Sequence, residues 1–162
     1  MDKVILAQDL SLAYNAQECI ISKANFAINS GDFVFITGAS GSGKSTLLKS
    51  FYGALTPESG SLLVGGVEVN SISGAKLNFL RRHIGIVFQD YKLIKEWTIE
   101  KNVALPLIIN GYAKDVSAIQ VEKLLNHVKL SHKVGKYPPE LSGGEQQRVA
   151  MARSRENELF FT

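Results

Sequence analysis

An α/β fold is predicted for these 162 residues, on three observations. The run Phe33-Val34-Phe35-Ile36-Thr37 is continuous, β-branched and aromatic, the pattern of a strand buried on both faces of a parallel sheet. A glycine-rich stretch from Gly38 to Gly43 follows at once and opens into a helical pattern from Lys44 to about Tyr52. In the second half the apolar spacing turns helical, with positions 119, 121, 124, 125 and 128 on one face of an amphipathic helix over 116–128.

The remaining elements follow in order. Segments around Val4 to Ala7 and Ser11 to Tyr14 read as short strands, and Asn25 to Asn29 alternates with the two-residue period of a half-buried one. Ser30-Gly31-Asp32 is a turn before the buried run, and Pro57 to Ser61 is another. Leu62 to Val69 reads as a hairpin with Gly65-Gly66 at its tip. A short helix near Ala75 to Arg82 precedes a second buried strand, Ile84 to Phe88. Thr98 suits the N-cap of a helix through Ile109, with Pro106 as a kink. Tyr137-Pro138-Pro139 breaks the chain before Leu141-Ser142-Gly143-Gly144, and Glu145 to about Arg153 reads as helix. No internal repeat or Gly/Ser linker is visible.

Apolar residues make up 45% and charged residues 20%, which excludes a disordered chain, a collagen-like repeat and a disulfide scaffold. Cys19 is the single cysteine and has no internal partner, so nothing points to an oxidising compartment. The longest apolar run, Val103 to Ile109, is interrupted by Pro106 and falls short of the ~20 residues of a membrane helix. The acidic, briefly apolar N-terminus does not read as a secretory signal, so a cytoplasmic location is expected. A net charge of +3 permits a polyanion partner without requiring one. The basic residues are scattered, densest at Arg81-Arg82-His83, which suits a solvated face better than a groove.

Gly38-Ala39-Ser40-Gly41-Ser42-Gly43-Lys44-Ser45-Thr46 matches G-x-x-x-x-G-K-[ST] in full, between a predicted strand and a predicted helix. Glycines let successive backbone N–H groups converge on one anion at the positive end of a helix dipole. Lys44 supplies a mobile charge for β- and γ-phosphate oxygens, and Ser45 a hydroxyl for Mg²⁺. The competing reading is a flexible glycine turn with an incidental lysine. A chance match in a chain of this length is about one in a hundred or rarer at average residue usage.

Leu141-Ser142-Gly143-Gly144-Glu145-Gln146-Gln147-Arg148 resembles the LSGGQ signature of ATP-binding cassette (ABC) ATPases, in its GEQ variant. On the residues alone it is a small polar loop opening a helix, either an anion site or an ordinary helix cap. The resemblance implies a P-loop NTPase fold of the ABC type, with an antiparallel β subdomain, a parallel-sheet core and a helical subdomain. It also implies ATP with Mg²⁺ sandwiched in a head-to-tail dimer, the loop Ser142-Gly143-Gly144 of one copy facing the P-loop of the other. Ser142 and Gly144 would approach the γ-phosphate. Gln89, after the strand at 84–88, matches the family's Q-loop glutamine, which contacts Mg²⁺ and senses a membrane partner; a solvated loop residue is the alternative. Tyr14 matches an aromatic that stacks on adenine, against the alternative of a core tyrosine.

The resemblance runs from residue 1 to about Arg153, and is nearest the cell-division branch through 79–90 and 102–109. Lipoprotein-release and macrolide-type exporters share most of that pattern. It implies a polytopic membrane protein of FtsX or permease type as partner, docking at 91–97, and a peripheral place on the inner face of the plasma membrane. Tyr91, Leu93, Ile94 and Trp97 are equally suited to a core. No nucleic-acid partner is expected.

Family catalysis needs, after the signature helix, a strand ending in an aspartate, then a glutamate that polarises water, then a histidine. No aspartate follows Asp115, and His83, His127 and His132 all precede the signature, so no catalytic residue is assigned. The expectation is one partial domain: an ATP-binding core over 1–90, a helical subdomain over 91–153 and a divergent tail over 154–162, as in a truncated or frame-disrupted product. Such a chain would bind nucleotide weakly, hydrolyse little and expose the flank of its P-loop strand. A catalytically dead nucleotide-binding remnant is the alternative.

Overall fold

The computed structural model describes residues 2–15 and 18–154, together with the backbone of 159–161. The chain divides into two compact units, Met1–Arg81 and Arg82–Thr162.

The first unit carries a four-stranded antiparallel sheet in the order β2-β1-β3-β4. Its strands are β1 (Lys3–Ala13), β2 (Cys19–Asn29), β3 (Ser59–Val64) and β4 (Val67–Glu68). The two short strands expected near the N-terminus are one strand with an irregularity. Ile5 and Ala7 point into the core at odd positions, and Leu10 and Leu12 at even ones. The register shift between Ala7 and Leu10 changes the phase, with Asp9 in the left-handed region (φ 48°). Asn25 clamps the shift: its Oδ1 accepts from the Asp9 N–H at 2.9 Å, and its Nδ2 donates to Asp9 Oδ1 at 3.1 Å. β3 and β4 form the expected hairpin, Val64 opposite Val67.

Helix α1 (Lys44–Phe51) buries Phe51, whose ring meets Phe26 of β2 edge-on with centroids 6.1 Å apart. Helix α2 (Gly74–Arg82) follows the hairpin and buries Leu80. Arg81 donates to the carbonyls of Tyr52 and Gly53 at 3.1 and 3.2 Å. One member of the densest basic cluster therefore satisfies carbonyls at the end of α1.

The run Phe33 to Thr37 departs from expectation. It belongs to neither sheet, and Phe33 and Phe35 are 85% and 78% exposed. A strand buried on both faces needs a neighbour at each edge and a layer on each side, and no described residue supplies a ladder. The two rings shelter each other instead, edge to face at 4.9 Å.

The second unit holds β5 (Ile84–Ile86), α3 (Ile99–Ile109), α4 (Lys114–His127), α5 (Gly143–Ser154) and β6 (Leu159–Phe161). β5 and β6 pair in parallel, Gly85 opposite Phe160. The predicted strand over 84–88 stops at Ile86, leaving Val87 and Phe88 outside the ladder. The expected divergent tail is in part ordered: Ser154 is buried as the last residue of α5, and 159–161 is a strand. The rest of it, 155–158 and 162, lies outside the described residues.

The helices share one core, built from Ile99, Val103 and Leu107 of α3, Val121, Leu124 and Leu125 of α4, and Val149 and Ala152 of α5. Pro106 lies inside α3 without ending it. Thr98 takes the N-cap place with an extended backbone, but its side chain makes no cap bond. The fully buried Asn102 works there instead. Its Oδ1 accepts from the Ile94 N–H at 2.8 Å, and its Nδ2 faces the carbonyls of Ile94, Trp97 and Thr98 at 3.0–3.1 Å.

Candidate nucleotide-binding site

The glycine-rich loop enters α1 through Gly43, which holds a left-handed conformation (φ 89°) as the residue before the helix. A Cβ there would come within 2.8 Å of Ile20 Cγ2 on β2, so glycine is required by both conformation and space. Gly41 is also left-handed (φ 81°), and the Ser42 N–H donates to the Ala39 carbonyl at 3.2 Å to close the loop. The first N–H groups of α1 lie at the loop's end, where a helix has no internal acceptors for them.

Lys44 reaches back across this loop. Its Nζ donates to the carbonyls of Gly38 and Ala39 at 2.9 and 2.7 Å, and lies 3.5 Å from Ser42 Oγ. The ammonium is thus folded back onto the loop's own carbonyls, at a half-buried position. Ser40, Ser42 and Ser45 are exposed, and Thr46 is buried. Among the described residues no group of three or more His, Cys, Asp or Glu side chains is placed to hold a metal ion. The Ser45 hydroxyl on the loop and, taken by itself, the Gln89 side-chain oxygen are neutral hard donors of the kind Mg²⁺ accepts beside waters and phosphate oxygens.

Tyr14, just past β1, is 52% exposed and so is not a core tyrosine. Its hydroxyl accepts from Lys49 Nζ at 3.0 Å and from the Thr46 hydroxyl at 3.4 Å, which anchors it to α1. Those hydrogen bonds, Thr46 first and then Lys49, hold the phenol below its ordinary pKa. The structure therefore joins Tyr14 to the loop's helix. Lys49, which makes that join, was not singled out from sequence; it lies one helical turn past Ser45 on α1.

In the second unit, Gln89 is exposed in the turn that follows β5. Ser142 caps α5 by a reciprocal arrangement. Glu145 Oε2 accepts from the Ser142 N–H at 2.8 Å and from its hydroxyl at 3.1 Å, while the Glu145 N–H lies 3.4 Å from Ser142 Oγ. The helix-cap reading of this loop is thus correct as far as it goes, and the S-x-x-E spacing was the signal for it. The Ser142 N–H, then its hydroxyl and Lys133 at 3.4 Å, hold the Glu145 carboxyl below its usual range. A Cβ on Gly143 would meet nothing within 4 Å, and one on Gly144 only Arg148 Nη1 at 3.9 Å. Packing among the described residues does not ask for glycine at either place. Tyr91, Leu93, Ile94 and Trp97 are half-buried, between the two alternatives raised for them, and Leu93 packs against the helical core.

A glycine loop threaded by a lysine at the start of a helix, with a second glycine loop opening another, defines a nucleotide-binding cassette. The ABC transporter family model matches residues 21–158, and the chain belongs to the ATP-binding domains of that family. It is 42% identical over 127 residues to the cell division ATP-binding protein FtsE of Bacillus subtilis, covering 78% of this chain. It is 39% identical over 151 residues to FtsE of Escherichia coli K12, covering 93%. The chain spans 56% of the length of the first of these relatives and 68% of the second. Among solved structures it superposes on the ATP-binding cassette MJ0796, a dimer bound to ADP and Pi, with a TM-score of 0.86 and 32% identity. That match covers 96% of this chain and 70% of the other. The cbiO1 structure from Clostridium perfringens gives a TM-score of 0.88 at 28% identity, over 99% of this chain and 64% of that one. The α/β cassette fold expected from the sequence is the fold found.

Proposed function

We propose that this chain is the ATP-binding part of an FtsE-like ABC subunit, and that the loop over 38–46 receives the phosphates of Mg-ATP. The observation that carries the reading is Lys44, whose ammonium already sits on the Gly38 and Ala39 carbonyls beside a glycine-shaped helix start. Bound nucleotide would draw that charge onto the β- and γ-phosphates, with backbone N–H groups of Gly41, Gly43, Lys44 and Ser45 as further donors. Mg²⁺ would supply charge neutralisation of the phosphates, held by Ser45 and Gln89. Tyr14, tied to α1, would take the adenine face.

The open space at Gly143 and Gly144 favours close approach from outside the chain. That supports a head-to-tail pair of copies in which Ser142, Gly143 and Gly144 meet the nucleotide held by the other copy's loop. A polytopic membrane protein of FtsX or permease type would dock at 91–97 on the inner face of the plasma membrane. No helix among the described residues is long and apolar enough to cross a membrane. The domain reading remains a core over 1–90, a helical part over 91–153 and a tail from 154. A lipoprotein-release or macrolide-type exporter shares the pattern and remains the second reading.

Calorimetric titration with Mg-ATP tests the proposal. Lys44→Ala is expected to weaken binding about 10- to 100-fold, the worth of a charge-assisted hydrogen bond to phosphate. The fold should survive, because Lys44 makes its described bonds only to its own loop. Equal affinity in both proteins would remove the loop from the reading.

A further inference from the structure

Arg153, in the last turn of α5, reaches the turn that follows Gln89. Its two terminal nitrogens donate to consecutive carbonyls, Nη1 to Lys92 at 2.8 Å and Nη2 to Tyr91 at 2.7 Å. Both acceptor residues are left-handed without being glycine, Tyr91 at φ 58° and Lys92 at φ 46°. L-residues hold that conformation reluctantly, and two in succession need outside support. The turn has its own local bonds as well. The Tyr91 N–H donates to the Phe88 carbonyl at 2.9 Å, the Lys92 N–H to the Asp90 carbonyl at 2.6 Å, and Lys92 Nζ pairs with Asp90 at 2.6 Å. None of those reaches another element, whereas Arg153 ties the turn to a helix.

The other end of that helix is the loop Ser142-Gly143-Gly144, capped by Glu145. An α-helix transmits displacement along its axis with little loss, since its hydrogen bonds run lengthwise. Past the turn, Asn102 fixes Ile94, Trp97 and Thr98 to the start of α3. The segment between Gln89 and α3 is therefore pinned at two points, one on α5 and one on α3. A planar guanidinium suits the first point because it offers two parallel donors to two carbonyls, which a lysine cannot do.

We propose that Arg153 is a positioning residue that makes the turn after Gln89 move with α5, so that an event at Ser142–Gly144 is felt at Tyr91–Trp97. The sensing half of this statement rests on the nucleotide reading above; the tether itself does not. Trp97, the single tryptophan, lies in the tethered segment and reports on it directly.

The full 162-residue chain and its Arg153→Met and Arg153→Lys variants would be compared by amide hydrogen exchange and by Trp97 emission with and without Mg-ATP. In Arg153→Met, exchange at 91–94 should accelerate about tenfold or more, while Leu124 and Leu125 of the core stay protected. Nucleotide affinity should remain within about twofold, since Arg153 does not touch the glycine loop. The Mg-ATP-induced change in Trp97 emission should vanish in Arg153→Met and return in part in Arg153→Lys, a pattern that simple destabilisation would not give. A full-sized emission change in Arg153→Met, or Mg-ATP-dependent pairing of two parent copies (followed by light scattering) with no Trp97 response, would overturn the coupling. A parent chain that binds no nucleotide would end the nucleotide reading, and the tether is then decided by exchange alone: unaltered rates at 91–94 refute it. If Arg153→Met does not fold, the same readouts on Arg153→Lys decide between these outcomes.

Discussion

Ser142 and Glu145 act as a pair at the start of α5, and the pair has a pH dependence of definite sign. Hydrogen bonds from the Ser142 N–H and hydroxyl favour the ionised carboxylate, so the folded-state pKa of Glu145 is depressed. Its contribution to stability is complete above the unfolded-state value and is lost as pH falls through the folded one. Protection factors at Gly144–Gln146, taken against the intrinsic rate at each pH, should therefore fall as the solution is acidified from neutral through the carboxylate range, and Glu145→Gln should flatten that fall. A Glu145→Gln protein with an unchanged acid profile would show that the carboxylate does not govern the cap. At this scale the motif singled out Lys44 as a candidate from sequence alone, and the fold places it on the carbonyls of its own loop. The sequence was less legible for Glu145, Lys49 and Arg153, whose partners lie on turns or helices that only the fold brings near.

Elements carry the next set of consequences. Asn102 is fully buried and holds the 94–98 segment by accepting from the Ile94 N–H and sharing its two amide hydrogens among the carbonyls of Ile94, Trp97 and Thr98. Asn102→Ala would leave the Ile94 N–H and its carbonyl neighbours without that partner, at a cost of about 2–4 kcal/mol. Urea unfolding followed by Trp97 fluorescence should record the loss; a midpoint shift worth less than about 0.5 kcal/mol would mean the segment is held by other contacts. The run 33–37 makes the opposite case, exposing both of its phenylalanines. An apolar, β-prone stretch in that state invites association. Phe33→Ser with Phe35→Lys should lower binding of the dye ANS by about half and raise the soluble fraction at high concentration, if exposed apolar area sets both. Unchanged dye binding would place the sticky surface elsewhere. Composition alone predicted a buried strand here; it names a segment that wants covering, not whether a neighbour is there to cover it. The bulge at Asp9 misled in a related way, since one extra residue splits a single strand into two apparent periods.

For the whole molecule, the α/β class and the order of nearly every helix and strand were readable, because strongly periodic segments and glycine turns are local signals. The two-unit division at Arg81/Arg82 and the parallel pairing of β5 with β6 were not, since both depend on contacts between residues far apart in sequence. Nucleotide phosphates are proposed to sit on the glycine loop, and everything said of nucleotide depends on that. Amide chemical-shift mapping of the folded, isotope-labelled chain during titration with Mg-ATP tests that most directly. The largest shifts should fall on Gly41, Gly43, Lys44 and Ser45, saturating together with Tyr14. Shifts centred on other elements, or none at millimolar nucleotide, would contradict it.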